Sequence, residues 1–314
     1  MKKKNKKPFP LTVIENLKEN YPSIDLDADD FKSVYNFLKK YDDTKSTLVV
    51  QTMLKWRKEK QIFEVDEELC NVLMDVDKLD DEMPSEVFNR LVYDCFYVKF
   101  PNRYLTLHMK DDTIGMDGFF YTVFGKSIII TMAYETYHMM SIGFDYYEDK
   151  TLRECIDEHL KCNNDTYRLL NFIIQIVLYL CADNADVEEN YEHKEIYKPV
   201  KKGEKIKDTY SEIRKWDVGY RYGAAIKKER QAVRHKTQEK TAVAISREGS
   251  HSRKRTHVRR GHYHHFWRGS QKDGTRELII KWISPVVINA EYENIATIRK
   301  VKMEALTVSK LNFA

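Results

Sequence analysis

The sequence predicts an α+β protein with a helical N-terminal region, a central antiparallel sheet with packed helices, and a basic C-terminal β region. Three observations carry this. Apolar residues recur at helical spacing through about residue 92. From residue 93 the texture changes to short aromatic and β-branched runs divided by turn residues. After residue 211 strand-like runs coincide with a concentration of positive charge. The expected regions are therefore 1–92, 93–210 and 211–314.

In chain order, the lysine run MKKKNKKPFP has no apolar core behind it, so it does not read as a secretory signal. Helices are expected over Leu11–Asn20, over Asp29–Tyr41 with Phe31, Val34, Tyr35 and Leu38 on one face, and over Thr44–Lys60. Asp66, Glu67, Glu68, Asp80, Asp81 and Glu82 sit at element boundaries, which makes them helix-start and turn residues rather than paired catalytic acids. YDCFYVKF, RYLTLHMK, GFFYTVF and KSIIITMA read as antiparallel strands. His108 within them reads as packing or surface. Helices follow over Thr151–Lys161 and Thr166–Ala182, the second apolar nearly all round and so central. Its fourteen-residue apolar core, Leu169–Ala182, is too short to span a bilayer. Residues 183–210 are polar and irregular. Ser211–Lys236 reads helical, with Ile213, Trp216, Tyr220 and Ala224 on one face. Residues 237–256 read as a mobile basic connection. HYHHFWRG, RELIIKWIS and PVVINAEY then read as strands, with KDGT as a turn and further strand in the tail.

Apolar residues at 42% exclude a disordered chain. The five cysteines, with no CxxC, read as reduced core residues of a cytosolic protein. The net charge of +4 conceals segregation: residues 221–281 hold 17 Lys/Arg against 5 Asp/Glu, and the remainder 36 against 44. A concentrated positive field attracts polyanions.

The densest stretch is HVRRGHYHHFWRG, residues 257–269, with four of the ten histidines. His262 and His264 point the same way on a strand and could share a metal ion, with His257 and a distant carboxylate completing a zinc site. No cysteine follows Cys181, and the surrounding basic residues oppose a cation. A zinc-stabilised interaction module is thus one alternative; no cofactor is expected. A second alternative is a metal-free ribonuclease, with His262 and His264 as acid and base and Arg260 steadying the phosphorane. No P-loop motif occurs. The preferred reading is an RNA- or ribosome-facing strand. Arg255, Arg259, Arg260 and Arg268 would hold phosphates, and Trp267, His257, His262 and His264 would stack or donate. The plain counter-reading is a structural strand with Phe266 and Trp267 in the core.

Residues Arg255, His257, Val258, Arg259, Arg260, Gly261, His262, Tyr263, His264, Phe266, Trp267 and Gly269, then Lys281, Trp282, Val286, Ile288 and Asn289, resemble the C-terminal signature of a large type V-A anti-CRISPR protein family. Weaker echoes lie at 56–69, 83–98, 117–120, 178–186 and 218–223, so the resemblance covers most of the chain. Tyr263 stands where the family has tryptophan, and His265 and Arg268 where Gly and Gln are expected. The resemblance implies a protein of a phage or other mobile element acting in the bacterial cytoplasm, with no membrane partner. It implies recognition of the nascent N-terminal peptide of a type V-A effector nuclease during translation, followed by loss of the effector mRNA. Nascent polypeptide, ribosome and mRNA are then the expected partners. The aromatic strands at 95–132 are a candidate edge or groove for an extended peptide, or ordinary core. Oligomeric state is not legible.

Overall fold

Alternate residues of the central strands are apolar on both sides, which requires a sheet covered on both faces. The computed structural model shows this arrangement. It describes residues 7–22, 26, 44–76, 78–108, 113–136, 138–160, 164–190, 212–228 and 257–288. The expected helix at 29–41, the connection at 237–256 and the tail after 288 lie outside the described residues.

Among the described residues the chain opens with the helices α1 (Phe9–Asn20) and α2 (Thr44–Glu59). The strand β1 (Gln61–Val65) follows, then α3 (Glu67–Met74) and a 3-10 turn (Ser85–Arg90). Five strands come next: β2 (Cys95–Lys99), β3 (Leu105–His108), β4 (Thr113–Phe124), β5 (Ser127–Tyr134) and β6 (Met139–Asp145). Helices α4 (Leu152–His159) and α5 (Asn164–Cys181) lead to β7 (Val187–Glu189) and β8 (Arg214–Val218), and a helix, α6, over 220–228.

The strands form one mixed sheet in the order β6-β5-β4-β2-β1-β8-β7, with β3 beside the first half of β4. From β2 to β6 the pairing is antiparallel, as the turn spacing predicts. β1 runs parallel to both β2 and β8. One face carries Ile62, Cys95, Tyr97, Phe120 and Ala133, and packs under α1 and α2 through Leu11, Ile14, Met53 and Trp56. The other carries Phe63, Phe96, Phe119, Tyr121 and Ile130, and packs under α3, α4 and α5. The aromatic strands at 95–132 are therefore core.

Local chemistry explains the helix starts. Asp66 caps α3, its carboxylate accepting from the Glu68 N–H at 2.9 Å. Asp80 accepts from the Glu82 N–H at 3.0 Å. Thr151 and Glu154 form a reciprocal capping box at α4. The acidic groups thus serve the boundary roles the sequence assigns them. The four described cysteines, Cys70, Cys95, Cys155 and Cys181, are buried free thiols.

Two expectations are corrected. Residues 183–210 are not wholly irregular, because Val187–Glu189 pairs with β8 as strand β7. Ser211–Lys236 is not one helix: Arg214–Val218 is strand β8, and a helix begins only at 220. Trp216 stacks on Phe63 at 5.9 Å because β8 lies in register with β1, and Gly219, at φ +77°, turns the chain into α6. Ile213 and Trp216, three residues apart, share a helix face but take opposite sides of the sheet, and so short a run does not separate the two periods.

Candidate nucleic-acid interface

The basic motif forms a β-hairpin. β10 (His262–Arg268) pairs antiparallel with β11 (Glu277–Ile283), and β9 (His257–Arg259) with β12 (Val286–Ile288). The two ladders share one register, broken where Arg260–Gly261 face Ser284–Pro285. Proline cannot donate to a ladder. A side chain at Gly261 would place its Cβ 2.5 Å from the Trp282 indole, so this closure needs glycine. At the far end, Gly269 and Gly274 adopt positive φ. Between them the Asp273 carboxylate accepts from the Thr275 hydroxyl at 2.7 Å and the Thr275 N–H at 3.1 Å. These bonds hold the Asp273 carboxyl below its usual range.

Strand alternation splits the motif into two faces. The inward face carries Tyr263, His265 and Trp267, opposite Trp282, Ile280 and Leu278. Tyr263, Leu278, Ile280 and Trp282 are buried. The Tyr263 hydroxyl donates to the Gln175 carbonyl of α5 at 2.6 Å, and burial raises its pKa well above the ordinary phenol value. The Trp282 ring lies 4.8 Å from Tyr263 and 6.3 Å from Tyr179. His265 approaches Asp80 at 3.4 Å.

The edge of β11 is closed by the loop after α5. The Asn184 amide donates to the Trp282 carbonyl and accepts from its N–H, both at 2.9 Å, and the Asp183 N–H donates to the Ile280 carbonyl at 2.9 Å. Arg90 joins the same corner, donating to the carbonyls of Cys181 and Leu278 and pairing with Asp183. The hairpin is thereby fixed on the helical layer rather than projecting as a free arm.

The outward face carries His262, His264, Phe266 and Arg268, opposite Ile283, Lys281, Ile279 and Glu277. His264, Arg268 and Lys281 are exposed, His262 is half-buried, and Phe266 and Ile283 are each 38% exposed. The rings of His264 and Phe266 lie 5.5 Å apart.

The sequence-predicted site residues thus do not form one cluster. His262, His264 and Arg268 share the outward face, and Arg260 is exposed at the break. Trp267 lies on the inward face under the Arg276 guanidinium, 4.2 Å from its centroid, beside an open groove of about 950 Å³. Glu82, Glu86, Glu148 and Asp149 line that groove. His257 and Arg259 lie on β9, and Arg255 lies outside the described residues. Phe266 and Lys281 were not among the residues singled out for contact. Their parity with His264 on the two paired strands is the signal that finds them. Among the described residues no group of three or more His, Cys, Asp or Glu could hold a metal ion. No helix among them is long and apolar enough to cross a membrane.

A family model described as AcrVA2-like, the Anti-CRISPR type V subtype A2 family, matches residues 63–290. The chain belongs to this family. In this AcrVA2-like protein the match runs from β1 to just beyond β12, taking in both the sheet and the hairpin. The crystal structure of AcrVA2 superposes with a TM-score of 0.51 at 17% identity, covering 90% of this chain and 93% of that one, so the two share a fold. Protein FinQ of Escherichia coli is 33% identical over 157 residues. That match takes in 45% of this chain and 42% of FinQ, less than half of either. Membership supports an anti-CRISPR role.

Proposed function

We propose that this protein lowers production of a type V-A CRISPR effector nuclease. In this reading it recognises the effector's nascent N-terminal peptide during translation in the bacterial cytoplasm and triggers loss of the mRNA. The basic hairpin meets ribosomal or messenger RNA. Family membership supports the anti-CRISPR part of the reading, and peptide recognition is what the sequence resemblance implies. The RNA half is supported by one structural observation: a docked hairpin presents unburied cationic and aromatic side chains from a strongly basic segment, while the rest of the chain carries a net acidic excess.

The test is mRNA level in cells carrying this protein and a reporter fused to the first codons of a type V-A effector. A control holds the same nucleotides shifted out of frame and restored downstream. Loss of the in-frame message alone is expected. Loss of both would overturn peptide recognition, and loss of neither would overturn the target. Replacing Arg259 and Arg260 by Ala should weaken RNA association and flatten its salt dependence by up to about two units of slope.

A second reading, a His/Arg-dependent ribonuclease, is favoured by His262 and His264 sharing one accessible face beside the exposed Arg260. His262→Ala and His264→Ala separate the two. An enzyme keeps its RNA bound and stops cutting it, whereas a binding protein loses affinity.

A further inference from the structure

We propose that the outward face of the β10–β11 hairpin binds an unpaired strand of RNA, with Phe266 and His264 as the base-stacking pair and Arg268 and Lys281 as phosphate ligands. Trp267, 37% exposed, lies on the opposite face of the hairpin under Arg276 and does not meet the RNA. The proposal rests on the reading that this hairpin meets RNA, and it names the strand type and the residues.

Charge separates the two sides. On the outward face Arg268 and Lys281 have no ion-pair partner among the described residues. Glu277, directly across from Arg268, instead turns its carboxylate to Arg90 at 3.6 Å. Asp273 in the turn is engaged by Thr275. The outward face therefore keeps uncompensated cations, which phosphates can neutralise. Trp267, by contrast, borders the groove lined by Glu82, Glu86, Glu148 and Asp149, and one flank is already taken by Arg276. With Glu277 the groove holds five carboxylates against the three cations Arg90, Lys150 and Arg276, an acidic excess that disfavours a polyanion there.

Shape separates single strands from duplexes. Phe266, Ile279 and Ile283 make an exposed to half-exposed apolar floor between the cations. Successive outward residues of one strand are about 6.8 Å apart, so His262, His264, Phe266 and Arg268 meet successive nucleotides of an extended chain. A phenyl ring stacks on a base only when the base face is free, which a paired helix does not allow.

The test uses the purified full-length chain and a fluorescein-labelled, unstructured 12-nucleotide RNA. Binding is read by anisotropy across a potassium chloride series. Phe266→Ala should weaken binding about tenfold, within the range for one stacked base. Phe266→Leu, which keeps apolar cover but removes the ring, should weaken it similarly. The double change Arg268→Ala and Lys281→Ala should flatten the salt slope by about one unit or more. Trp267→Ala should stay within about twofold of wild type, and the same RNA fully paired should bind more weakly and ignore Phe266→Ala. An unchanged affinity in both Phe266 variants, or a larger loss in Trp267→Ala, would overturn the proposal. Absence of RNA binding in a wild-type protein that still lowers the in-frame reporter also overturns it and leaves the translational reading standing. The predicted pattern with an unaffected reporter supports the RNA face and removes the translational reading.

Discussion

Asn184→Ala should loosen the hairpin without loosening the sheet. Asn184 supplies both hydrogen bonds that the outer edge of Trp282 makes, one in each direction at 2.9 Å. Two ordinary bonds are worth about 1–3 kcal/mol net. Asn184 is itself exposed, so water can replace part of what it gives, and the expected loss falls near 1 kcal/mol. At 1.4 kcal/mol per factor of ten, that is roughly a fivefold faster opening. An isolated two-stranded hairpin is marginal in water, so once undocked its ladder exchanges. Native-state hydrogen exchange is the assay. Amides of β10 and β11 should lose about fivefold protection, while those of β4 and β5, buried in the central sheet, change little. Asn184→Asp should open the hairpin at least as far, because it sets a carboxylate oxygen against the Trp282 carbonyl. Unchanged protection in the hairpin, or equal loss in β4 and β5, would refute the idea that this corner holds a separately opening unit.

Gly118→Ala should be severely destabilising, by about 3 kcal/mol or more, because the new Cβ would overlap the Val98 carbonyl oxygen across β2 and β4. A denaturant midpoint close to wild type would contradict this. Stability should also fall at alkaline pH. Burial pushes the Cys95 thiol up to about 12, and Cys70 and Cys181 rise for the same reason. The unfolded chain ionises these thiols near pH 8.5, so above that it holds fewer protons than the folded chain. The stabilisation is whole below that pH and is lost as pH rises toward 12. Cys95→Ser should shallow the decline in urea midpoints between pH 8.5 and 10.5, and an identical slope would exclude the thiol as a source. Glu154→Ala should remove half of the α4 capping box and lower the melting temperature, by less than Thr151→Ala does; an unchanged melting temperature would contradict this.

Local signals made much of the fold legible. The length and apolar face of α5, the capping residues Asp66 and Thr151, and the alternating aromatic strands β2, β4 and β5 all act over a few residues. β1 and β8 were not legible, because a five-residue run such as QIFEV declares its strand only through partners far along the chain. The hairpin's strands and turn could be read from the motif, and so could its two faces. Which face docks could not. That choice is made by Gln175, Tyr179 and Asn184, which approach from the end of α5 and the loop after it.

The parallel pairing of β1 sets an order of events during synthesis. One neighbour, β2, follows within about thirty residues, but the other, β8, begins only at Arg214. At elongation rates of about 5–20 residues per second, β1 waits roughly 8–30 s with one row of backbone donors and acceptors bare. Only then can β8 and β7 complete the sheet, and only later still can the hairpin settle on α5. A polypeptide halted before residue 212 would retain that open edge, and should elute from a sizing column as larger assemblies than the finished chain forms.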